Sequence, residues 1–155
     1  MPVAIKSLFH NIIFLSAIFS LVTAQFLKMV FYLITSTSRK PRVAIETALW
    51  RTGGMPSSHS AVVCSLTTST GIIKGIDSDI FVICLIFSLL VLRDALGVRR
   101  AAGLQSKALN LLGKLTSEKL GTEFRTVKEI QGHTPLEVFV GGVLGILIST
   151  GFYLL

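Results

Sequence analysis

The amino-acid sequence predicts an all-α protein: an integral membrane helical bundle with about four transmembrane helices and an amphipathic cytoplasmic helix in the loop before the last span. Three observations carry this reading. Hydrophobic residues make up 51% of the 155 and charged residues 15%, with a mean hydropathy of +0.72, a balance suited to lipid rather than water. The apolar residues gather into four stretches, each bounded by turn-forming or charged segments. The basic residues behind the net charge of +7 concentrate in two of the connecting segments.

A single membrane domain spanning 1–155 is expected, and its elements follow in order. The first apolar stretch runs from about Leu8 to Ile34, broken by Gln25 and Lys28. Lys6, the apolar run after it and Val22-Thr23-Ala24 before Gln25 resemble a cleavable leader, but apolar character continues beyond Lys28, so an uncleaved span is expected. The second span starts at Pro56 or Ser57 and ends near Gly75; its many Ser and Thr residues predict shielding from lipid by neighbouring helices. The third runs from Asp79 to about Leu92 and continues helically into Arg93. The fourth runs from Pro135 to Leu155, with Gly141, Gly142 and Gly145 permitting close helix contact.

The first loop, Ser36 to Thr52, carries Arg39, Lys40, Arg42 and Arg51 against Glu46. The second is the tight turn Gly75-Ile76-Asp77-Ser78. The third, Arg99 to Gly132, is again basic, and Leu109, Leu112, Leu115 and Leu120 predict a helix on the membrane surface or against the bundle. The positive-inside rule puts the first and third loops in the cytoplasm and both termini outside. A basic chain also raises nucleic acid as a partner, but cations beside apolar spans more simply report topology, anionic lipid or a phosphorylated substrate. Membrane lipid is the expected partner, and nucleic acid is not. Cys64 and Cys84 lie inside apolar segments without ligand spacing and read as reduced packing residues. No metal or other cofactor is called for.

With antiparallel spans, His59 at the start of the second, Arg93 at the end of the third and His133 at the start of the fourth share one membrane face. Three polar clusters therefore converge. The first is Gly53-Gly54-Met55-Pro56-Ser57-Ser58-His59-Ser60. Helix capping explains one serine, whereas a helix start with spare N–H groups, hydroxyls and an imidazole makes an anion site able to move a proton. The second is Arg93-Asp94, followed by Arg99 and Arg100. A stop-transfer flank explains the last two; Arg93 and Asp94 either pair with each other or serve a site, with guanidinium groups clamping phosphate and Asp94 orienting an arginine or holding a metal. The third contains Lys128 and His133-Thr134-Pro135-Leu136-Glu137. His133 and Glu137 stack on one helix face at i,i+4 if the helix extends that far, and the carboxylate then fixes the imidazole tautomer; the bland alternative is an acid favoured by the helix dipole.

The segments 53–61, 94–103 and 132–142 resemble, in the right order, the divergent PAP2 family, small bacterial and plant membrane proteins related to acid phosphatases and vanadium-dependent haloperoxidases. The resemblance covers nearly the whole chain. It implies a bacterial inner-membrane protein with His133 as nucleophile, Glu137 as its orienting acid and His59 as the acid that protonates the leaving oxygen. Ser57 and Ser58 would bind substrate phosphate with Arg93, Arg99, Arg100 and Lys128; Asp94, Gly53 and Gly54 would support them. Against the broader PAP2 pattern, Ser58 replaces Gly and Glu137 replaces Asp. Arg39-Lys40-Pro41 lacks the upstream lysine of the first motif, Leu33 standing there, and Val127 stands where an arginine precedes the nucleophile.

The expected function is metal-independent hydrolysis of a prenyl or glycerolipid phosphate or diphosphate through a phosphohistidine, at the cytoplasmic face. The alternative is a lipid-phosphate binding or transport protein that retains the anion pocket without the chemistry. A haloperoxidase-like vanadate site is set aside, because such enzymes are usually soluble and much larger. Neither the lipid nor the oligomeric state follows from the sequence.

Overall fold

The structure, a computed structural model, describes residues 6–35, 54–129 and 132–155. The first loop with its arginines, Gly53 and the Arg99 side chain lie outside the described residues. Five helices position the site: α1 (Ile12–Thr35), α2 (Ser58–Lys74), α3 (Asp79–Leu96), α4 (Val98–Leu120) and α5 (Pro135–Leu154). By length and composition α1, the run Asp79–Leu120 that contains α3 and α4, and α5 can each cross a membrane. The chain is thus an all-helical membrane protein, its fourth span being α2, a shorter and more polar helix of 17 residues.

Four of the five helices begin where a side chain accepts from an N–H group of the first turn, and α4 follows Gly97 without a side-chain cap. Asn11 Oδ1 accepts from the N–H groups of Ile13 (2.9 Å) and Phe14 (3.3 Å) ahead of α1. Ser57 caps α2 through the Ser60 N–H (3.4 Å), and Ser78 caps α3 through the Phe81 N–H (3.3 Å). Thr134 caps α5 in a capping box with Glu137, with Pro135 at the first helical position. α2 stops at Gly75, whose φ of 90° disfavours any side chain, and the chain turns directly into α3.

The centre of the bundle is α2, enclosed by α1, α3 and α5, with the α5 contact the most extensive. Small residues make this possible. A Cβ on Gly141 would collide with the Ser57 carbonyl oxygen, and one on Gly145 with that of Ala61, so α5 lies backbone against backbone on the first turns of α2. α1 contributes the buried row Ser16, Ser20, Ala24 and Lys28, spaced one turn apart. Hydroxyls then tie the helices together: Ser16 to Ser69 (2.6 Å), Ser69 to Ser149 (2.9 Å) and Ser65 to Ser149 (2.8 Å) join α1, α2 and α5. Thr67 meets Ser88 at 2.6 Å to link α2 with α3. The large apolar side chains point outward instead, including Phe19, Phe26, Ile83, Leu90 and Leu147, because lipid solvates them as well as protein does.

Beyond α3, Gly97 marks the break before α4. Leu109, Leu112, Leu115 and Leu120 are exposed on α4, so of the two placements expected for them the surface is the observed one. The segment after Gly121 runs back along α4 in extended form. Asn110 holds it, donating to the Val127 carbonyl (2.9 Å) and accepting from the Val127 N–H (2.8 Å). This strap delivers the chain back to His133.

Candidate active site

The polar end of the bundle is assembled where α2 and α5 both begin. Ser57 N–H donates to the Glu137 carbonyl (3.0 Å), which locks the two helix starts together. Both starts therefore aim their positive dipole ends at one region. His59, in the first turn of α2, is exposed; His133, just before the Thr134 cap, is 4% exposed. Their rings face each other edge-on, centroids 6.2 Å apart.

His133 Nδ1 lies 3.0 Å from Glu137 Oε2, and the same oxygen accepts from the Thr134 N–H at 3.1 Å. An ionised carboxylate only accepts, so Nδ1 carries the ring proton and Nε2 keeps its lone pair. Glu137 does double duty: one side chain closes the helix cap and orients the imidazole. A cavity of about 280 Å³ opens between α2, α3 and α5, lined by His59, Leu90, Val91, Asp94, Ala95 and His133. Its walls combine two imidazoles and a carboxyl group with apolar side chains, a lining matched to a polar head on an apolar tail.

The structure thus brings His59, His133, Glu137, Asp94, Gly54 and Ser57 to one end of the bundle. Ser57 is fully buried and its hydroxyl accepts from the Ser60 N–H and from Ser60 Oγ (3.0 Å); Ser58 is 5% exposed. Arg93 and Arg100 sit at the same end but are exposed and do not line the cavity, and Lys128 lies exposed on the strap. The Arg100 backbone packs against Gly132, too closely for a Cβ there, which brings the start of α4 beside His133.

One residue at this end was passed over in the sequence as a mere interruption of the first span. Lys28 is 4% exposed on α1, and its stem passes Gly54, with Cγ and Cδ 3.6 and 3.7 Å from where a Cβ would sit. Gly54 has φ of 90°, a backbone conformation that favours glycine there. The Lys28 ammonium is within electrostatic reach of Glu137. The signal was present: Ser16, Ser20 and Ala24 precede Lys28 at steps of four, a small-residue face ending in a cation.

Fold and site together define a helical membrane protein with a carboxylate-oriented histidine and a second histidine at one polar end of the bundle. The chain belongs to the divergent PAP2 family, whose model matches residues 9–148. It is 37% identical over 153 residues to the "Uncharacterized membrane protein YuiD" of Bacillus subtilis (strain 168), covering 92% of this chain and 94% of that protein. No solved structure matches it.

Proposed function

We propose that this protein is a membrane-embedded phosphatase that hydrolyses a prenyl or glycerolipid phosphate or diphosphate without a metal, at the cytoplasmic face of a bacterial inner membrane. One observation carries the reading: His133, its Nδ1 engaged by Glu137, faces His59 at 6.2 Å across the wall of a half-apolar cavity. That separation suits an in-line transfer in which a phosphoryl group sits between nucleophile and acid.

In the reaction, His133 Nε2 attacks phosphorus and forms the N–P bond while the bond from phosphorus to the leaving oxygen breaks. His59 gives that oxygen its proton, releasing the lipid alcohol, or the lipid monophosphate when a diphosphate is the substrate. The positive charge gained by the His133 ring is met by Glu137 through Nδ1–H. Neutral His59 then takes a proton from water as that water attacks the phosphohistidine, releasing phosphate and restoring both rings. Ser57 and Ser58 are buried in the first turn of α2, so contacts to phosphate oxygens fall first to N–H groups at the two helix starts. Arg93 and Arg100 supply positive charge at this end of the bundle, with Asp94 on the cavity wall.

A second reading, lipid-phosphate binding or transport without turnover, is favoured by a specific observation: no arginine or lysine is among the described residues lining the cavity. The test is phosphate release from a panel of prenyl and glycerolipid phosphates by the protein in detergent, with and without EDTA. Release that survives EDTA and disappears in His133→Ala and His59→Ala supports the phosphatase. Lipid phosphate that binds to the wild type but is never cleaved supports the second reading.

A further inference from the structure

Lys28 carries a cation into a place where packing gives no reason for one. It ends a row of small residues on α1, is 4% exposed, and among the described residues makes neither a hydrogen bond nor a close ion pair. Removing an ammonium from water is costly enough that such a residue in a membrane helix calls for an opposite charge nearby. Glu137 is a carboxylate at this end: the Lys28 stem lies beside Gly54, and three residues on the Ser57 N–H is bonded to the Glu137 carbonyl. Both hydrogen bonds to the Glu137 carboxylate land on Oε2, and Oε1 accepts none among the described residues.

The arrangement is directional. Lys28 comes from α1 and is absent from the cavity lining, which lies on the α3 side of the histidines. His133 lines the cavity, whereas Glu137 and Lys28 do not. We propose that Lys28 is the counter-ion of Glu137, a positioning residue that keeps the carboxylate ionised and so holds the His133 ring with Nε2 free. The role within a reaction rests on the phosphatase reading; the control of the His133 ring does not.

The charged and titratable groups around this pair are Lys28 from α1, His59 from α2 and Asp94 from α3, besides His133 and Glu137 themselves. Replacing Lys28 with methionine keeps the stem and removes the charge. Without that cation the carboxylate holds a proton more readily, and a protonated Glu137 no longer stabilises the imidazolium. The His133 ring then titrates at lower pH, by about one unit, whereas a cation acting on the imidazole directly would give an upward shift on its removal.

The experiment is a histidine titration by NMR on the full chain in detergent, with isotope-labelled histidine and the His133 signals assigned by their loss in His133→Asn. Wild type, K28M, K28R, E137Q and the double variant K28M/E137Q are compared. The proposal expects a downward shift in K28M, recovery in K28R, and no further downward shift when K28M is added to E137Q. An unchanged or upward-shifted His133 titration in a folded K28M protein overturns it, as does a downward K28M shift that persists in full on the E137Q background. Vanadate binding separates the rival role: affinity unchanged in K28M agrees with a residue behind the carboxylate, and affinity lost with an unmoved titration makes Lys28 a direct anion ligand. If the wild type releases no phosphate from any lipid, the phosphatase reading falls, while the titration still decides on Lys28.

Discussion

Helices α2 and α3 are sequence neighbours of almost equal length, 17 and 18 residues, with opposite relations to their surroundings. α2 is rich in Ser and Thr and buries Ser58, Ser60, Ala61, Val63, Ser65, Ser69 and Thr70. α3 is almost wholly aliphatic and aromatic, yet buries only Ser88 and Ala95. A rule learned from water-soluble proteins would place them the other way round. In lipid the apolar side chain gains little by turning inward, so close packing of small residues and hydroxyl hydrogen bonds decide which helix lies at the centre. The site follows from the same difference, because the enclosed polar helix is the one whose first turn presents His59.

The sharpest way to test this contrast is at the site itself. On the phosphatase reading, His133→Ala should reduce phosphate release by at least about a thousandfold, measured at saturating substrate, because it would delete the proposed nucleophile rather than a contact. Glu137→Gln should cost about a hundredfold or more in kcat, since an amide cannot stabilise the imidazolium and removes the fixed tautomer. A loss confined to KM would instead make Glu137 a binding group. Packing comes next: Gly145→Val should destabilise the bundle by about 1–3 kcal/mol, seen as a lower unfolding midpoint in detergent, because the side chain meets the Ala61 carbonyl of α2.

Smaller effects discriminate more finely between the two helices. Ser149→Ala removes a hydroxyl that contacts Ser65 and Ser69 and donates to the Ser65 carbonyl at 2.7 Å. Interhelical bonds of this kind in membranes average about 0.6 kcal/mol, so a loss of about 1 kcal/mol is expected from the hub. Ile83→Ala on the outward face of α3, where Ile83 is 65% exposed, should change the unfolding midpoint by less than about 0.5 kcal/mol. A larger loss there would mean that α3 packs against protein on that face, and the comparison with α2 would break.

Much of the fold was legible because its signals are local. The second span was expected to begin at Pro56 or Ser57, and α2 begins at Ser58 with Ser57 as its cap. The turn at Gly75 and the start at Asp79 stand where the glycine and the Ser78 cap predict them. The meeting of His59 with His133 was expected from the antiparallel order of spans, which requires only that each helix cross the membrane once. Lys28 was not legible in the same way. On the sequence it interrupts an apolar stretch, and nothing within a few residues of it reveals that its stem is buried beside Gly54. The arginines show the reverse case: Arg93 and Arg100 look like site residues by position, yet both side chains are exposed away from the cavity wall.

The sequence by itself determined the helices, their ends and their order, because apolar run length, glycine turns and serine or threonine caps act over a few residues. It also determined the pairing of His133 with Glu137, since the two stand four residues apart on either side of the Thr134 cap. Only the tertiary structure decided what stands behind that pair. The approach of α5 to α2 depends on Gly141 and Gly145 lying against carbonyl oxygens, and the Lys28 stem comes to rest beside Gly54, far from it in the chain. Such contacts join residues far apart in the chain, and their fit is a matter of shape that no local pattern encodes.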